Sequence, residues 1–111
     1  MEVRAVAKNT GIPASKVRPL VNMVRGKKVD EALTLLKFTP TPKAKVVARL
    51  VQSAAANAEN NFQIDTADLR IMSIFADEAR SMRRHRPRSR GRVSPIRKRS
   101  SHITVIVAEE V

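Results

Sequence analysis

Residues 80–99 hold the side chains whose type and spacing most clearly suggest a chemistry. They include nine arginines, one lysine and no acidic residue, and so carry +10 of the formal net charge of +12. The basic residues are Arg80, Arg83, Arg84, Arg86, Arg88, Arg90, Arg92, Arg97, Lys98 and Arg99. Guanidinium groups bind phosphate through two parallel hydrogen bonds and stack on exposed bases, which favours structured RNA. The segment is therefore predicted to bind RNA.

The positive charge belongs to this segment and not to the chain as a whole. The other 91 residues carry 12 basic and 10 acidic side chains, and so are close to neutral. Residues 80–99 contain too few apolar side chains to offset the entropy lost when the segment is ordered. We therefore expect a polyanion to complete it. A localisation signal or a solvated basic tail is the alternative, but such segments usually lie at chain ends.

Length and composition bound the class of protein. A chain of 111 residues can build one modest core but not two ordinary domains, so a single domain over 1–111 is expected. The sequence has no cysteine, which excludes disulfides and thiolate metal sites and suits a reducing compartment. No apolar run approaches the ~20 residues that span a bilayer, and the first residues do not resemble a signal peptide. We expect a cytoplasmic protein with no membrane partner.

Hydropathy patterns predict the elements that must position the arginines. Alternating apolar residues predict strands over 1–8, 69–78 and 101–108. Helical spacing predicts three helices between the first two strands. Their predicted limits are Ser15 as N-cap and Gly26 as end for the first, Val29 and Lys37 for the second, and Thr41 as N-cap, Pro42 as first residue and Asn60-Asn61 as end for the third. Pro19 removes a backbone donor from the first helix, which should begin later or bend there.

This order of elements predicts an α+β fold. We expect a small three-stranded antiparallel sheet with three helices packed on one face. Because 69–78 and 101–108 should pair antiparallel, 79–100 becomes a long basic β-hairpin arm or a free loop. Two arm strands of about ten residues would reach roughly 30 Å beyond a body formed by 1–78 and 101–111. Gly91 is the expected turn.

Other side chains in the sequence have both a functional and a structural interpretation. Some body cations lie near helix ends and loops and are either second-tier RNA contacts or ordinary solvated residues. They are Lys16, Arg18, Arg25, Lys27, Lys28, Lys43 and Lys45. The three phenylalanines lie in or beside apolar segments and are predicted to be core residues rather than platforms for bases. They are Phe38, Phe62 and Phe75.

The sequence offers no coherent set of catalytic or metal-binding residues. His85 and His102 are seventeen residues apart with no cysteine near, so RNA contact or surface hydrogen bonding is the better interpretation. Asp77 and Glu78 are adjacent, and on a strand they point to opposite faces. They are expected to pair with Arg80 or its neighbours, or to keep the arm's base away from RNA. No enzyme activity, cofactor or metal is predicted.

Short motifs follow one another in order along nearly the whole chain. They are Lys16-Val17-Arg18, Arg25-Gly26-Lys27-Lys28, Glu31-Ala32-Leu33, 53–58, Asp77-Glu78, 87–92 and 98–105. In this order they resemble the bacterial large-subunit ribosomal protein L-twenty-two family. The most specific part is the Arg90-Gly91-Arg92 element followed by the strand from Lys98. Two positions depart from the family: Ala79-Arg80 replaces a common glycine-proline, and Pro19 replaces a helix-compatible residue.

The resemblance implies a structural protein that binds large-subunit ribosomal RNA, aids assembly and lines the peptide exit tunnel with its hairpin. It implies neighbouring large-subunit proteins, including L-four, and the nascent peptide at the hairpin tip as partners, and we expect no homo-oligomer. By matching position, the tunnel-facing residues are Met82, Arg83, Arg84, Arg88, Arg90, Gly91 and Arg92. The alternative from another class is a cationic DNA-architectural protein, which would bind duplex DNA as well as folded RNA.

Overall fold

The computed structural model describes residues 2–8, 10–80, 82–87 and 93–109, and of 82–87 and 93–98 the backbone alone. In chain order the elements are β1 (Glu2–Ala7), α1 (Ala14–Val24), α2 (Val29–Lys37), α3 (Pro42–Phe62), a 3-10 turn (Thr66–Asp68), β2 (Leu69–Glu78), β3 (Met82–Pro87), β4 (Val93–Lys98) and β5 (Ser101–Glu109). The predicted α+β fold is confirmed.

The sheet has β5 at its centre, with β1 and β2 on either side, both antiparallel to it. Alternate residues of the three strands are buried under the helices, among them Val3, Ile71 and Val105. The predicted pairing of β2 with β5 is confirmed, and its last pair joins Glu78 to Ser101. The two strands that lead to the arm are therefore held in the sheet up to the arm's base.

A β-bulge interrupts β2 between Ile71 and Ser73. The extra residue shifts the alternation, so Ile71 and Ile74 are both buried although they are three residues apart. Met72 is half exposed at this position. A period of two cannot show such an insertion, and the sequence predicted an uninterrupted strand.

The first helix differs from its prediction at its start. It begins at Ala14, with Pro13 at the N-cap position and no side chain capping it, so Ser15 lies inside the helix and the predicted Ser15 cap is wrong. It also continues through Pro19 instead of starting after it. Its buried residues form one apolar face and are Ala14, Val17, Leu20, Val21 and Val24. Gly26 follows with a φ of 78°, a conformation that favours glycine.

The other two helices follow the sequence closely. The limits of α2 are those predicted, with Asp30 and Glu31 in its first turn, where negative charge is favourable. Thr41 occupies the N-cap of α3 and Pro42 its first position, but the threonine side chain makes no capping hydrogen bond. The helix ends at Phe62, just past the predicted Asn60-Asn61.

The phenylalanines contradict the prediction that they form the core. Phe38 is 76% exposed, Phe62 44% and Phe75 38%. Each lies at an end of a helix or on the strand side that the helices do not cover, so none is in reach of the interior. The core is instead built from valine, isoleucine, leucine and alanine.

The arm strands β3 and β4 form a separate antiparallel ribbon, in register from Met82 opposite Lys98 to Pro87 opposite Val93. Over these residues the arm is therefore a hairpin and not a free loop. The molecule measures 64 × 26 × 18 Å with a radius of gyration of 17.0 Å, against about 13 Å for a compact chain of ~100 residues. The predicted turn at Gly91 lies outside the described residues.

Candidate nucleic-acid interface

The arm joins the body where β2 and β5 leave the sheet. Beyond the last sheet pair, the backbone N–H of Ala79 donates to the carbonyl of Ser100 at 3.0 Å, so the antiparallel pairing continues toward the arm. Arg80 and Arg99 flank this point, and both are exposed. The start of α1 lies beside it, because Pro13, Ala14 and Ser15 line a pocket of about 190 Å³ together with Arg99 and Ser100. The backbone next to the first two arginines of the arm is therefore held by the body.

A buried hydrogen-bond network ties the arm's base to the loop between β1 and α1. The Ser101 hydroxyl is fully buried and donates to the carbonyl of Ile12 at 2.7 Å. Thr10 Oγ1 lies 2.9 Å away, so its hydroxyl donates to Ser101 Oγ while accepting the N–H of Ile12. Gly11 N–H donates to Ser100 Oγ at 2.9 Å. The network anchors residues 100 and 101, at the base of the arm, to this loop.

Replacing Ser101 with alanine tests this network. We expect Ser101→Ala to lower the free energy of unfolding by about 1–3 kcal/mol, because the half-buried Thr10 hydroxyl and Ile12 carbonyl lose their buried partner. Urea denaturation of both proteins measures the difference. Ser100→Ala is the matched control, since the Ser100 hydroxyl bonds an exposed amide and its loss should cost less. Equal losses in the two variants would contradict the assignment.

The register of the arm places one pair of like charges directly opposite each other. Arg83 is opposite Arg97, and Met82 is opposite Lys98. Like charges at directly opposed positions of a ladder are destabilising. The ribbon also places Arg84 and Arg86 on β3. Arg88, Arg90 and Arg92 lie outside the described residues. The arm strands thus bring together cations whose repulsion a bound polyanion would relieve.

The segment that links α1 to α2 runs along the free edge of β2. Gly26 N–H donates to the carbonyl of Ile71 at 3.1 Å, and Ile71 N–H donates to the carbonyl of Lys27 at 2.9 Å. The backbones of Lys28 and Arg70 form an isolated antiparallel β-bridge. These bonds satisfy an edge that would otherwise present unpaired backbone groups. The segment predicted to be an RNA site from its lysines and arginine therefore has a structural task in its backbone.

Two of the predicted body cations also have protein partners. The Arg25 guanidinium donates to the carbonyl of Ile74 and to Asn22 Oδ1, both at 2.8 Å. Lys27 Nζ lies 3.9 Å from Glu31. In contrast, Lys16 and Arg18 are exposed on the first half of α1, next to the residues that border the arm's base. Lys16 and Arg18 are thus exposed cations that follow the residues bordering the arm's base, whereas Arg25 and Lys27 interact with other residues of the body.

The family of this chain follows from a comparison of its sequence with known families. A family model described as ribosomal protein L22p/L17e matches residues 5–108, nearly the whole chain. The chain belongs to the ribosomal protein L22p/L17e family. Members of this family are structural ribosomal proteins and not enzymes, and their place is the cytoplasmic ribosome. The resemblance seen in the sequence motifs is confirmed.

Three similar proteins carry the name large ribosomal subunit protein uL22. The protein of Dehalococcoides mccartyi strain 195 is 64% identical over 109 residues, which cover 98% of this chain and all of the relative. That of Pediococcus pentosaceus is 50% identical over 107 residues, covering 96% of this chain and 91% of the relative. That of Clostridioides difficile is 49% identical over 110 residues, covering 99% of each.

Within this L22p/L17e chain, sequence reasoning missed the residues that hold the arm in place. Thr10 carried no signal, because its partner Ser101 is 91 residues away. Ser101 lies inside one of the motifs that carried the resemblance, but nothing in the sequence predicts that a serine at the start of a strand is buried. The described residues contain no group of histidines or acids that could hold a metal ion. None of the described helices is long and apolar enough to cross a membrane.

Proposed function

We propose that this protein is a structural constituent of the large ribosomal subunit that binds large-subunit ribosomal RNA with its arm, aids assembly, and lines the peptide exit tunnel with the hairpin. The main observation in support of this proposal is that most of the positive charge lies outside the folded body. Residues 80–99 carry +10, and the backbone described there forms a ribbon outside the sheet. The family and the names of the relatives support the ribosomal assignment.

The physics of the arm supports RNA as the element that completes it. A two-stranded hairpin is marginally stable in water, and the opposed cations Arg83 and Arg97 weaken it further. Phosphates along both sides would neutralise these charges and supply hydrogen-bond acceptors for guanidinium groups. We assign the main RNA contacts to the ten basic residues of 80–99. Lys16 and Arg18 extend this surface onto the body, whereas Arg25 and Lys27 contribute less because their groups are partly engaged.

The neighbours of the arm follow from the same proposal. If the hairpin lines the tunnel, the residues beyond Pro87 approach the nascent peptide, and the tunnel wall includes the loop of ribosomal protein L-four. Met82, Arg83 and Arg84 then lie nearest the constriction, and Arg88, Arg90, Gly91 and Arg92 near the tip. These positions rest on the family resemblance.

Sedimentation tests the proposed function directly. Purified protein added to ribosomal particles that lack it should co-sediment with large subunits at moderate salt, because the arm has a folded RNA to bind. Recovery of the protein only in RNA-free fractions would overturn the proposal. Competition between folded large-subunit RNA and duplex DNA of equal phosphate content separates the DNA-architectural alternative. Equal displacement by both would favour that alternative.

A further inference from the structure

A groove of about 450 Å³ lies between α2 and α3 and shares no residue with the arm or its base. Leu33, Leu36 and Ala48 give it an apolar part, and Leu36 is almost fully buried. Threonines and Gln52 add hydrogen-bonding groups. Its volume lies within the ~300–1,000 Å³ of pockets that hold small organic ligands. A groove of this size fits a compact molecule of the size of one nucleotide better than a helix or a strand.

The charges around the groove have one sign. Lys37, Lys45 and Arg49 line it, and no acidic residue does. Lys45 and Arg49 are one helical turn apart on α3, an arrangement of like charges that costs the helix stability. Within the described residues, none of the three forms an ion pair, and Glu31 at the other end of α2 is taken by Lys27. The groove therefore presents concentrated positive charge with no counterion from the protein.

An aromatic residue lies between two lining residues in the sequence, although it does not itself line the groove. Phe38 follows Lys37 and precedes Thr39, both of which line the groove, and it is the C-cap residue of α2. Its exposure of 76% is high for a large apolar side chain. An exposed aromatic ring beside basic residues is the pairing that single-stranded nucleic acid uses, with bases on the ring and phosphates on the cations.

We propose that this groove binds one unpaired nucleotide of RNA. The base stacks on Phe38 over the apolar part of the groove, Gln52 serves its polar edge, and Lys37, Lys45 and Arg49 hold the flanking phosphates. The inference rests on the proposed function, because the RNA is that of the large subunit, and it adds a second contact whose lining residues belong neither to the arm nor to its base. An acidic peptide would match the charges but would leave the exposed aromatic residue and the apolar part of the groove unused.

The absence of tryptophan and tyrosine from the sequence makes the test specific. Phe38→Trp in the full chain introduces one fluorophore beside the groove. Titration with a single-stranded oligoadenylate of four nucleotides should quench its emission, because a stacked base quenches indole. Phe62→Trp is the matched control: Phe62 is also exposed, but lies ten residues beyond Gln52 on α3, about 15 Å away at 1.5 Å per residue. Its emission should not change.

Charge variants complete the experiment. In the Phe38→Trp protein, Lys45→Glu with Arg49→Glu should weaken the quenching titration at least tenfold, and Lys45→Gln with Arg49→Gln should weaken it less. Both variants change the same two exposed residues, Lys45 and Arg49, so circular dichroism should show an unchanged fold. Equal quenching of both reporters, or quenching that survives both charge variants, would overturn the inference. Stronger binding of a glutamate-rich helical peptide than of the oligoadenylate, read by the same reporter, would also overturn it.

The two proposals fail in different ways. If the unaltered protein co-sediments with large subunits while the reporter beside the groove stays silent, the groove inference alone is wrong. If co-sedimentation fails, the proposed function is wrong whatever the reporter shows. Quenching at the groove together with co-sedimentation supports both.

Discussion

Replacing residues 80–99 with Asn-Gly is expected to remove most of the salt dependence of RNA binding and to leave the body folded. If six to ten arm charges neutralise phosphates, the affinity of the intact protein should fall by about 10³ to 10⁵ between 50 and 200 mM salt. The remaining body has a net charge of +2, which supports few such contacts. The shortened protein should therefore bind weakly at low salt and lose little more as salt rises.

The body should survive because its pairing ends before the arm. The Ala79 N–H donates to the Ser100 carbonyl, so these residues form the hydrogen-bonded pair that a two-residue type I′ turn closes, and Asn-Gly favours that turn. The Thr10 and Ser101 network is retained in full. Every core residue that the structure describes also belongs to the body.

Filter binding over a salt series measures the first effect, and thermal unfolding followed by circular dichroism measures the second. A protein in which the nine arm arginines become lysine is the matched control, because it keeps the charge and loses only the guanidinium geometry. It should retain most of the salt slope with weaker binding. An unchanged slope after removal of the arm would show that the body carries the RNA contacts. Loss of cooperative unfolding would show that the arm contributes to the core.

The sequence predicts best the elements whose signals are local. The spacing of Val29, Ala32 and Leu36 determines α2, and all three are buried. The alternation in β5 likewise determines which residues face the helices. Such patterns are repeated within a few residues, so a single chain displays them in full.

Features formed between distant residues were not predictable in the same way. The link from Arg25 to Lys28 pairs with a strand edge more than forty residues later, and nothing within the link distinguishes an edge cover from a basic surface. For Phe38 and Phe75 the sequence predicted burial, but both side chains are exposed. Hydrophobicity favours burial but cannot show which face of the sheet the helices cover. The groove cations could be recognised only after α2 and α3 were placed side by side.

The course of α1 through Pro19 shows how packing overrides a local signal. Proline within a helix costs about 3 kcal/mol relative to alanine. Val17, Leu20 and Val21 on either side of it are buried, and burying such a side chain contributes about 1.5–3 kcal/mol each. The sum of these terms exceeds the cost of the proline, so the helix continues, although the Ser15 carbonyl lacks its partner from position 19.

Pro19→Ala is accordingly expected to stabilise the protein by about 2 kcal/mol. The new N–H can bond the Ser15 carbonyl, which recovers up to about 3 kcal/mol. The more flexible unfolded chain offsets about 0.4–1 kcal/mol of this gain. Pro19 is exposed, so the substitution removes little buried surface. At roughly 4–8 °C per kcal/mol for a domain of ~100 residues, the Tm should rise by about 10 °C.

Pro42→Ala is the matched control, because Pro42 is the first residue of α3 and its N–H would have no helical partner. At this position the only effect is the greater conformational entropy of the unfolded chain without proline, so the free energy of unfolding should fall by about 0.4–1 kcal/mol. The two substitutions remove the same side chain from an exposed helix position with opposite expected signs. Destabilisation by both would mean that Pro19 fits α1 without the loss of a hydrogen bond, and that the proline is there for the rigidity of the helix beside the arm's base.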